Sequence, residues 1–482
     1  MLVSKNLFQS EHMKKMRLLF NIGMVGCMLT LGSCEKQIFK EPYAYLSPAD
    51  AFSTPDKISK AATGMYDQLQ NANFFGGRVL VYADIRGIDA GVPAYFGDVP
   101  KFNTLLSTNS YVNDAWRGAY RTIYEVNVFL KNLAANPGKV SDAQAAQYTA
   151  EGKFIRSLVY FYLVNLWAQP YKFTSGASHL GVPLILTASD DPFSASNQVP
   201  RNTVAEVYNQ IEKDLLEAEA ALNYPNNTRA FADVARATKG AAQGLLMRLY
   251  LYKGDYQKAL DYANKLITSG KYAMNTDGPA TAFRNFTTNE SIFSVGMSGG
   301  DNPNTNNALG QHYSPDGRGD IAISPDYVNL MEATDKRRTD LVRTYAPAPG
   351  TLWSTKYVGV ADWVPVLRYS EVLLTKAEAL ANLNTAVDAD AVALVNLVRS
   401  RSNATPIAAP ATKQGLINAV ILERRIELAF EGQGILDFLR TGRNIPAHAT
   451  VNEQAYGSDY VVFPIPKYET DMNLKLDQNH GY

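Results

Sequence analysis

The chain has 482 residues, 46% of them hydrophobic and 11% aromatic, so it is long enough to bury a large core. Its 46 basic and 46 acidic residues balance, which argues against nucleic acid as a partner, because a nucleic-acid-binding protein carries a basic face. The only cysteines are Cys27 and Cys34, so no thiolate metal cluster is expected.

The N-terminus has the order of regions found in a secretory signal. Basic residues within 14–17 precede an apolar run over 18–31, which is shorter than the roughly 20 residues of a membrane-spanning helix. Leu31-Gly32-Ser33-Cys34 then resembles a bacterial lipobox. We therefore predict a signal peptide over 1–33 and attachment of lipid, with acyl chains such as palmitate, at Cys34. A plain signal cut near Ser33 is the alternative, and Met13 is an alternative start to Met1.

Beyond Cys34 the hydrophobic periodicity is helical. Apolar residues recur at three- and four-residue steps over 204–222, and Thr203 with Glu206 fits a capping box at the start of this helix. Two more stripes, 241–252 and 256–267, are separated only by Gly254-Asp255. Helices joined by so short a turn are expected to lie antiparallel.

Similar helices are predicted at about 118–132, 142–167, 370–382, 388–401 and 415–431. Together the helices predict a mostly α fold, a tetratricopeptide-like scaffold of helix pairs with long irregular loop insertions. Such a scaffold presents binding surfaces and does not by itself imply catalysis.

Short sequence strings distributed along the chain form a recognisable series. The N-terminal half carries Ala62-Thr63-Gly64-Met65-Tyr66, Glu151-Gly152-Lys153-Phe154-Ile155-Arg156-Ser157 and Gly181-Val182-Pro183-Leu184. The C-terminal half carries Val366-Leu367-Arg368-Tyr369-Ser370-Glu371, Glu423-Arg424-Arg425-Ile426-Glu427, Phe463-Pro464-Ile465-Pro466 and Gln478-Asn479-His480-Gly481-Tyr482. In this order the strings resemble those of the SusD/RagB family of nutrient-binding outer-membrane lipoproteins.

The resemblance implies a single SusD-like domain over 34–482, with an N-terminal part at about 34–230 and the family's signature region at about 290–482. It also implies a lipid-anchored protein at the outer membrane, facing the extracellular side. Such a protein captures oligosaccharides and passes them to a SusC-like TonB-dependent transporter, without enzymatic activity or a cofactor. A peptide-binding, RagB-like lipoprotein and a surface adhesion protein outside transport are the alternatives.

The charged signature residues are expected to be structural. Glu423, Arg424 and Glu427 lie within one predicted helix, at spacings of three and four residues. Charges in or near a core must be paired. We therefore predict that they form a packed ionic network and do not bind ligand.

Ligand contacts are expected from two long insertions, 71–113 and 296–362, because long loops without periodicity are usually functional or disordered. Sugars suit such loops, since a pyranose C–H face stacks on aromatic rings and its hydroxyls bond to Asn, Asp and Arg. The ligand-binding candidates are Phe74, Phe75, Tyr95, Phe96, Tyr313, Arg318, Trp353 and Tyr357. Tyr95, Phe96 and Trp353 are favoured because their neighbours form turns, whereas Tyr82 is expected to be buried.

Signals for catalysis are weak. Gly296-Met297-Ser298-Gly299-Gly300 matches the G-x-S-x-G motif, but the residues after it predict a loop where a nucleophile elbow needs a helix. The histidines are widely spaced and predict no metal site. Loop carboxylates such as Asp84, Asp89, Asp98 and Asp320 leave a glycosidase reaction open on sequence grounds, because that chemistry needs only two carboxylates.

Overall fold

The computed structural model describes residues 47–191 and 194–482. Met1–Ala51 forms one unit, of which the described part contains helix α1 (Pro48–Ala51), and there the Ser47 hydroxyl donates to Asp50 (2.7 Å). Phe52–Tyr482 forms the second unit. The predicted signal peptide and Cys34 lie outside the described residues, so the domain boundary at residue 34 stays a prediction.

Helices dominate the second unit. In chain order they are α2 (Pro55–Leu69), α3 (Arg78–Ile85), α4 (Ser110–Ala135), α5 (Asp142–Trp167), α6 (Val204–Ala221), α7 (Phe231–Ala235), α8 (Lys239–Lys253), α9 (Tyr256–Thr268), α10 (Leu309–Tyr313), α11 (Pro325–Val328), α12 (Lys336–Asp340), α13 (Tyr369–Leu383), α14 (Ala389–Arg401), α15 (Lys413–Leu428), α16 (Gly434–Arg440) and α17 (Lys467–Met472). Short 3-10 turns include Ala94–Phe96, Val99–Thr104 and Thr281–Phe283.

Successive long helices pack side by side. α4 packs on α2 and α5, α5 on α6, α6 on α8, α8 on α9, α9 on α13, and α13 on α14 and α15. This continuous stack confirms the predicted mostly α scaffold of helix pairs. Among the described residues, no helix is both long enough and apolar enough to span a membrane.

Local sequence signals fix several helix ends. The Thr203 hydroxyl accepts the amide of Glu206 and the Glu206 carboxylate accepts the amide of Thr203, which confirms the predicted capping box of α6. α8 is capped at its C-terminus by Gly254, whose φ of +75° is the left-handed conformation that glycine adopts without strain. Asp255 then caps α9, accepting the amide of Lys258. The predicted α8–α9 turn is therefore correct.

Helix α5 forms the centre of the stack. From Phe154 to Trp167 every residue is buried, which is typical of a helix surrounded by others. The buried Arg156 of this helix is paired, since its guanidinium donates two hydrogen bonds, of 2.8 and 3.0 Å, to Asp214 of α6. Such bidentate pairing is the arrangement in which a buried arginine is tolerated.

Two short antiparallel sheets stand at the C-terminal half of the stack. β1 (Ser291–Val295) pairs with β4 (Val364–Arg368), and β2 (Val342–Thr344) pairs with β3 (Leu352–Ser354). Gly296 to Gly300 follows β1 as non-helical backbone, and the next helix starts only at Leu309. The G-x-S-x-G match therefore lacks the strand–turn–helix geometry of a nucleophile elbow.

Two predicted boundaries were wrong. The helix predicted over 118–132 extends over Ser110–Ala135, because Asn109 caps it and accepts the amide of Val112. The helix predicted over 415–431 ends at Leu428, since the chain turns at Phe430 (φ +66°). In addition, the first insertion contains α3, all of whose residues are buried.

A network of buried charges joins the sheets to α14 and α15. Its basic members are Arg337, Lys356, Arg368, Arg399 and Arg401, and its acidic members are Glu290, Asp335, Glu423, Glu427 and Glu431. Arg368 contacts Glu290, Glu427 and Glu431, all of them nearly inaccessible to solvent. Glu423 and Glu427 belong to this network, as predicted, whereas Arg424 lies outside it and faces Glu378 (3.7 Å) and Asp437 (3.5 Å).

Candidate ligand-binding site

Most of the aromatic candidates lie in the core. The buried ones, with their exposed fractions, are Phe74 (1%), Phe75 (0%), Phe96 (0%), Tyr313 (0%), Trp353 (7%) and Tyr357 (0%). Phe74 meets Phe75 edge to face, and Phe75 meets Tyr162 of α5 in the same way, so the first insertion packs on the helical scaffold. These six side chains support the insertions from beneath and are not on their surface. Tyr82 is fully buried, as predicted.

The hydroxyls and the indole of these buried rings have internal partners. The Tyr357 hydroxyl donates to the carbonyl of Phe430 (3.0 Å), and the Trp353 indole donates to the carbonyl of Gly319 (3.1 Å). Because Trp353 fills a packed space, its replacement by Ala is expected to lower stability. It is therefore a poor probe of ligand binding.

Tyr313 is held by a buried carboxylate. Its hydroxyl donates to Asp84 Oδ2 (2.9 Å), and the amide of Gly432 donates to the same group (3.1 Å). Burial raises the pKa of Asp84 to about 7, although these hydrogen bonds act in the opposite direction. This cluster ties α3 and α10 to the turn after α15.

The two remaining candidates, Tyr95 and Arg318, lie together. Arg318 Cζ stands 4.1 Å from the centroid of the half-buried Tyr95 ring, which is a close cation–π contact. The Tyr111 hydroxyl donates to the Tyr95 carbonyl (2.6 Å), and Arg78 Nη2 donates to the Tyr95 hydroxyl (3.3 Å). The first insertion thus supplies the aromatic pair Tyr95 and Tyr111, and the guanidinium of Arg318 from the second insertion lies over the Tyr95 ring.

Polar side chains surround this contact. Arg318 donates to Asp320 Oδ2 through Nε (2.8 Å) and to the side chain of Asn306 through Nη1 (3.3 Å). His312 Nδ1 lies 3.0 Å from Asp320 Oδ2, and Arg78 also donates to the carbonyl of Asn306 (3.2 Å). We call this surface the Tyr95 patch, defined by Arg78, Tyr95, Tyr111, Asn306, Arg318 and Asp320.

Electrostatics keep the patch charged and polar. Partial burial alone would raise the pKa of Asp320, but hydrogen bonds from His312 and Arg318, with their charges, lower it below its usual range. Burial raises the pKa of Tyr111, so its hydroxyl stays protonated at neutral pH. The patch therefore offers an ionised carboxylate, a guanidinium, an amide and two phenols.

Backbone hydrogen bonds tie the two insertions together a few residues from Tyr95 and Asp320 in the sequence. The amide of Gly91 donates to the carbonyl of Ala322, and the amide of Ser324 donates to the carbonyl of Asp89, both at 2.8 Å. The Asp89 carboxylate also accepts from Arg425 of α15 (2.6 Å). The patch thus rests on the helical scaffold through fixed contacts.

Some patch residues could be foreseen and others could not. Tyr111 is one of the aromatic residues of the first insertion, and Asp320 is one of the carboxylates of the second insertion. Arg78 and His312 could not be predicted. Arg78 contacts Asn306, which is remote in sequence, and His312 is itself buried. Among the described residues, no group of three or more His, Cys, Asp or Glu side chains is arranged to hold a metal ion.

Comparisons with known proteins agree with the fold. Residues 40–251 match a family model described as "Starch-binding associating with outer membrane", and residues 353–482 match one described as "SusD family". The two ranges together cover more than two thirds of the sequence.

Individual relatives extend over nearly the whole chain. A SusD-like protein of Formosa agariphila is 26% identical over 537 aligned positions, covering 96% of this chain and 99% of its own length. The starch-binding protein SusD of Bacteroides thetaiotaomicron is 23% identical over 489 positions, covering 80% and 81%. The crystal structure of a SusD superfamily protein from Bacteroides fragilis is 28% identical, with a TM-score of 0.76 over 89% of this chain and 100% of its own.

Proposed function

Because this chain belongs to the SusD family, we propose that it captures oligosaccharides at the outer membrane and passes them to a SusC-like TonB-dependent transporter. The observation that carries the proposal is the Tyr95 patch, where both long insertions bring aromatic rings and planar hydrogen-bonding groups to one surface. These groups match the two kinds of surface on a pyranose ring. Binding alone meets this function, so the chain needs no bond-breaking step of its own.

The starch-binding description of the matched family and the name of the Bacteroides relative support a carbohydrate ligand. The patch itself favours neutral sugars over a strongly charged ligand, because Arg318 is already paired with Asp320. A peptide ligand is the second candidate. A surface adhesion protein outside transport would have no transporter as its partner. Recovery of a TonB-dependent transporter together with the tagged protein would therefore count against an adhesion role.

The ligand is tested by calorimetry with the purified chain. Titrations use gluco-oligosaccharides with α-1,4, β-1,3 and β-1,4 linkages and, in parallel, a tryptic peptide pool. We expect saturable binding of at least one oligosaccharide and no hydrolysis products by chromatography. Binding of peptides alone would replace the carbohydrate proposal by the peptide one, and turnover would refute the non-enzymatic role.

Replacing Arg318 by Ala is expected to weaken oligosaccharide binding about tenfold or more, because a hydrogen bond to a charged group contributes about 1.5 to 3 kcal/mol. Tyr95→Ala should weaken binding in the same direction. The melting temperature should change little for Arg318→Ala, whose side chain is exposed. Tyr468→Ala, an aromatic removal at a side chain that is 59% exposed on α17, is the matched control. Wild-type affinity in both patch variants would remove the patch from the site.

The membrane anchor is proposed at Cys34, where acylation would hold the chain at the outer membrane. Stable anchoring takes two lipid chains or signals, which a multiply acylated cysteine provides. Cys34→Ala is expected to shift the protein from the membrane fraction to the soluble fraction in its native host, as read by immunoblotting. Cys27→Ala, within the signal sequence, should leave the distribution unchanged. Retention of the Cys34 variant in the membrane would refute the anchor.

A further inference from the structure

A second cleft opens between α2, α7 and the end of β1. Its volume is about 430 Å³, and its walls include Gly64, Tyr66, Asp67, Gln70, Phe231 and Asp301. Asp67, Gln70 and Asp301 also border a neighbouring polar recess of about 330 Å³, which is lined by Asn71, Arg121, Asn302 and Asn304. We call the larger space the Phe231 cleft. No residue of the Tyr95 patch is among the residues that line it.

Phe231 is an exposed ring held in a fixed position. Its exposed fraction is 58%, although it packs edge to face on Trp363 with 5.0 Å between ring centroids. A side chain at Gly296 would place its Cβ 2.9 Å from Phe231 Cζ, so only glycine lets the ring lie against this backbone. The Trp363 indole is itself fixed by donating to the carbonyl of Met297 (2.9 Å). A rigid and exposed aromatic face at a cleft is a stacking platform for an apolar ligand surface.

Gly64 gives a second, independent indication. It lies inside α2, where a glycine costs roughly 0.5 to 1 kcal/mol relative to alanine. A Cβ at Gly64 would meet no atom within 4 Å, whereas one at the helical Gly152 would lie 3.1 Å from Leu130. Packing within the described residues therefore accounts for Gly152 and not for Gly64. The missing side chain leaves room at this wall of the cleft for a closely approaching ligand.

The polar groups of the cleft suit hydroxyls. Asp67 and Asp301 are exposed carboxylates, and Gln70 is held at the wall by its bond to the carbonyl of Gly296 (2.6 Å). Arg236, the cation among the lining residues, is paired with the buried Glu151 (2.7 Å). The groups open to a ligand are thus mainly acceptors, which bind sugar hydroxyls and repel anions.

The cleft and the Tyr95 patch share one loop. Asn306 contributes to the patch through its carbonyl and side chain, while Asn302 borders the recess beside the cleft. Four residues span at most about 14 Å of extended chain. An oligosaccharide of several units is long enough to span a separation of this size.

We propose that the Phe231 cleft is a second carbohydrate subsite, which takes a neutral pyranose unit of an oligosaccharide whose other units contact the Tyr95 patch. This inference rests on the proposed function, since it assigns part of the same ligand. It makes affinity depend on chain length. Short sugars bind at the patch alone, and longer ones gain the contact with Phe231.

The test compares two-unit and seven-unit gluco-oligosaccharides of the α-1,4, β-1,3 and β-1,4 series by calorimetry. Phe231→Ala is expected to weaken binding of the seven-unit ligand at least fivefold and to leave the two-unit ligand unchanged, while Arg318→Ala weakens both. Phe173→Ala, which removes another exposed phenylalanine (40%), is the matched control. Unchanged seven-unit binding in Phe231→Ala, with Arg318→Ala still impaired, would overturn the inference and leave the proposed function standing.

Gly64→Ala distinguishes an effect on ligand binding at the cleft from an effect on the stability of the fold. The added methyl points into open space and favours the helix, so the melting temperature should stay the same or rise. The Gly64→Ala variant is nevertheless expected to bind the seven-unit ligand at least fivefold more weakly, because the methyl group occupies space at the wall of the cleft. If no wild-type titration shows binding to any of these sugars, the carbohydrate function and the subsite are both refuted. If Phe231→Ala reduces binding of the peptide pool instead, the cleft is a peptide site.

Discussion

Replacing Arg368 by Met is expected to lower the free energy of unfolding by about 3 to 5 kcal/mol, the usual cost of removing one partner from a buried ion network. Arg368 donates to Glu290, Glu427 and Glu431, and all of these side chains are at most 6% exposed. Without the guanidinium, three buried carboxylates lose one of their counter-charges, and the remaining cations Arg337, Lys356 and Arg401 compensate only in part. Denaturant unfolding followed by circular dichroism measures the loss.

Lys60→Met supplies the control for this prediction. Lys60 pairs with Asp56 at 2.8 Å, but both side chains are about three-quarters exposed. An exposed pair contributes little, so the free energy of unfolding should stay close to that of the wild type. Equal effects of the two substitutions would show that the buried network does not hold the fold.

The cost of Arg368→Met should also depend on pH. Burial alone would raise the pKa of Glu431 and of Glu427, but the surrounding cations lower both below the usual range. In the native protein, the stabilisation from a lowered carboxyl pKa is present above the unfolded-state pKa near 4 and is lost as pH falls. In the variant, the stranded carboxyls bind protons more readily. The difference between the two proteins should therefore shrink as pH falls from 7 towards 4.

Replacing Gly310 by Ala is expected to destabilise the fold by about 3 kcal/mol, because overpacking against an immobile neighbour forces backbone to move. The new Cβ would stand 2.3 Å from the carbonyl oxygen of Gly359 and 2.5 Å from its nitrogen. The turn that contains Gly359 cannot yield easily, since its amide donates to Asp362 (2.9 Å) and the neighbouring Tyr357 is anchored in the core.

The same substitution should impair ligand binding. Gly310 belongs to α10, which also carries His312, the partner of Asp320 in the Tyr95 patch. Thermal unfolding and calorimetry on the same sample give both readouts. Gly299→Ala is the control, because its Cβ would meet no atom within 4 Å and its φ is not positive. A Gly310 variant as stable as wild type would mean that the α10 contact can relax.

Helices that follow an amphipathic period could be predicted from sequence. The bounds of α9 match the predicted stripe over 256–267 to within one residue, and α6 begins at the capping box of Thr203 and Glu206. α3 was missed because residues 79–82 are apolar all round and carry no 3.6-residue pattern. The end of α15 was missed because it depends on contacts of the following turn with Asp84, which is far away in sequence.

The two insertions were predicted more reliably than the orientation of their side chains. Loop length and composition indicated the two insertions, and the insertions do meet. Aromatic content could not separate Tyr95 from Phe96, its buried neighbour in the chain, because both sit among turn-forming residues. Whether a loop ring faces inward depends on what lies beneath it. Phe96 packs on the buried Tyr82 of α3 as well as on His312, which is more than 200 positions away, and such contacts cannot be read from the sequence.

The backbone ties between residues 89–91 and 322–324 have a consequence for how such proteins diversify. They join both insertions to each other and, through Asp89 and Arg425, to α15. The loop around Asn302 and Asn306 lies between β1 and α10, outside these ties, and we expect it to tolerate changes of sequence without disturbing the helix stack. Grafting this loop between relatives should transfer ligand preference, while the scaffold keeps its shape.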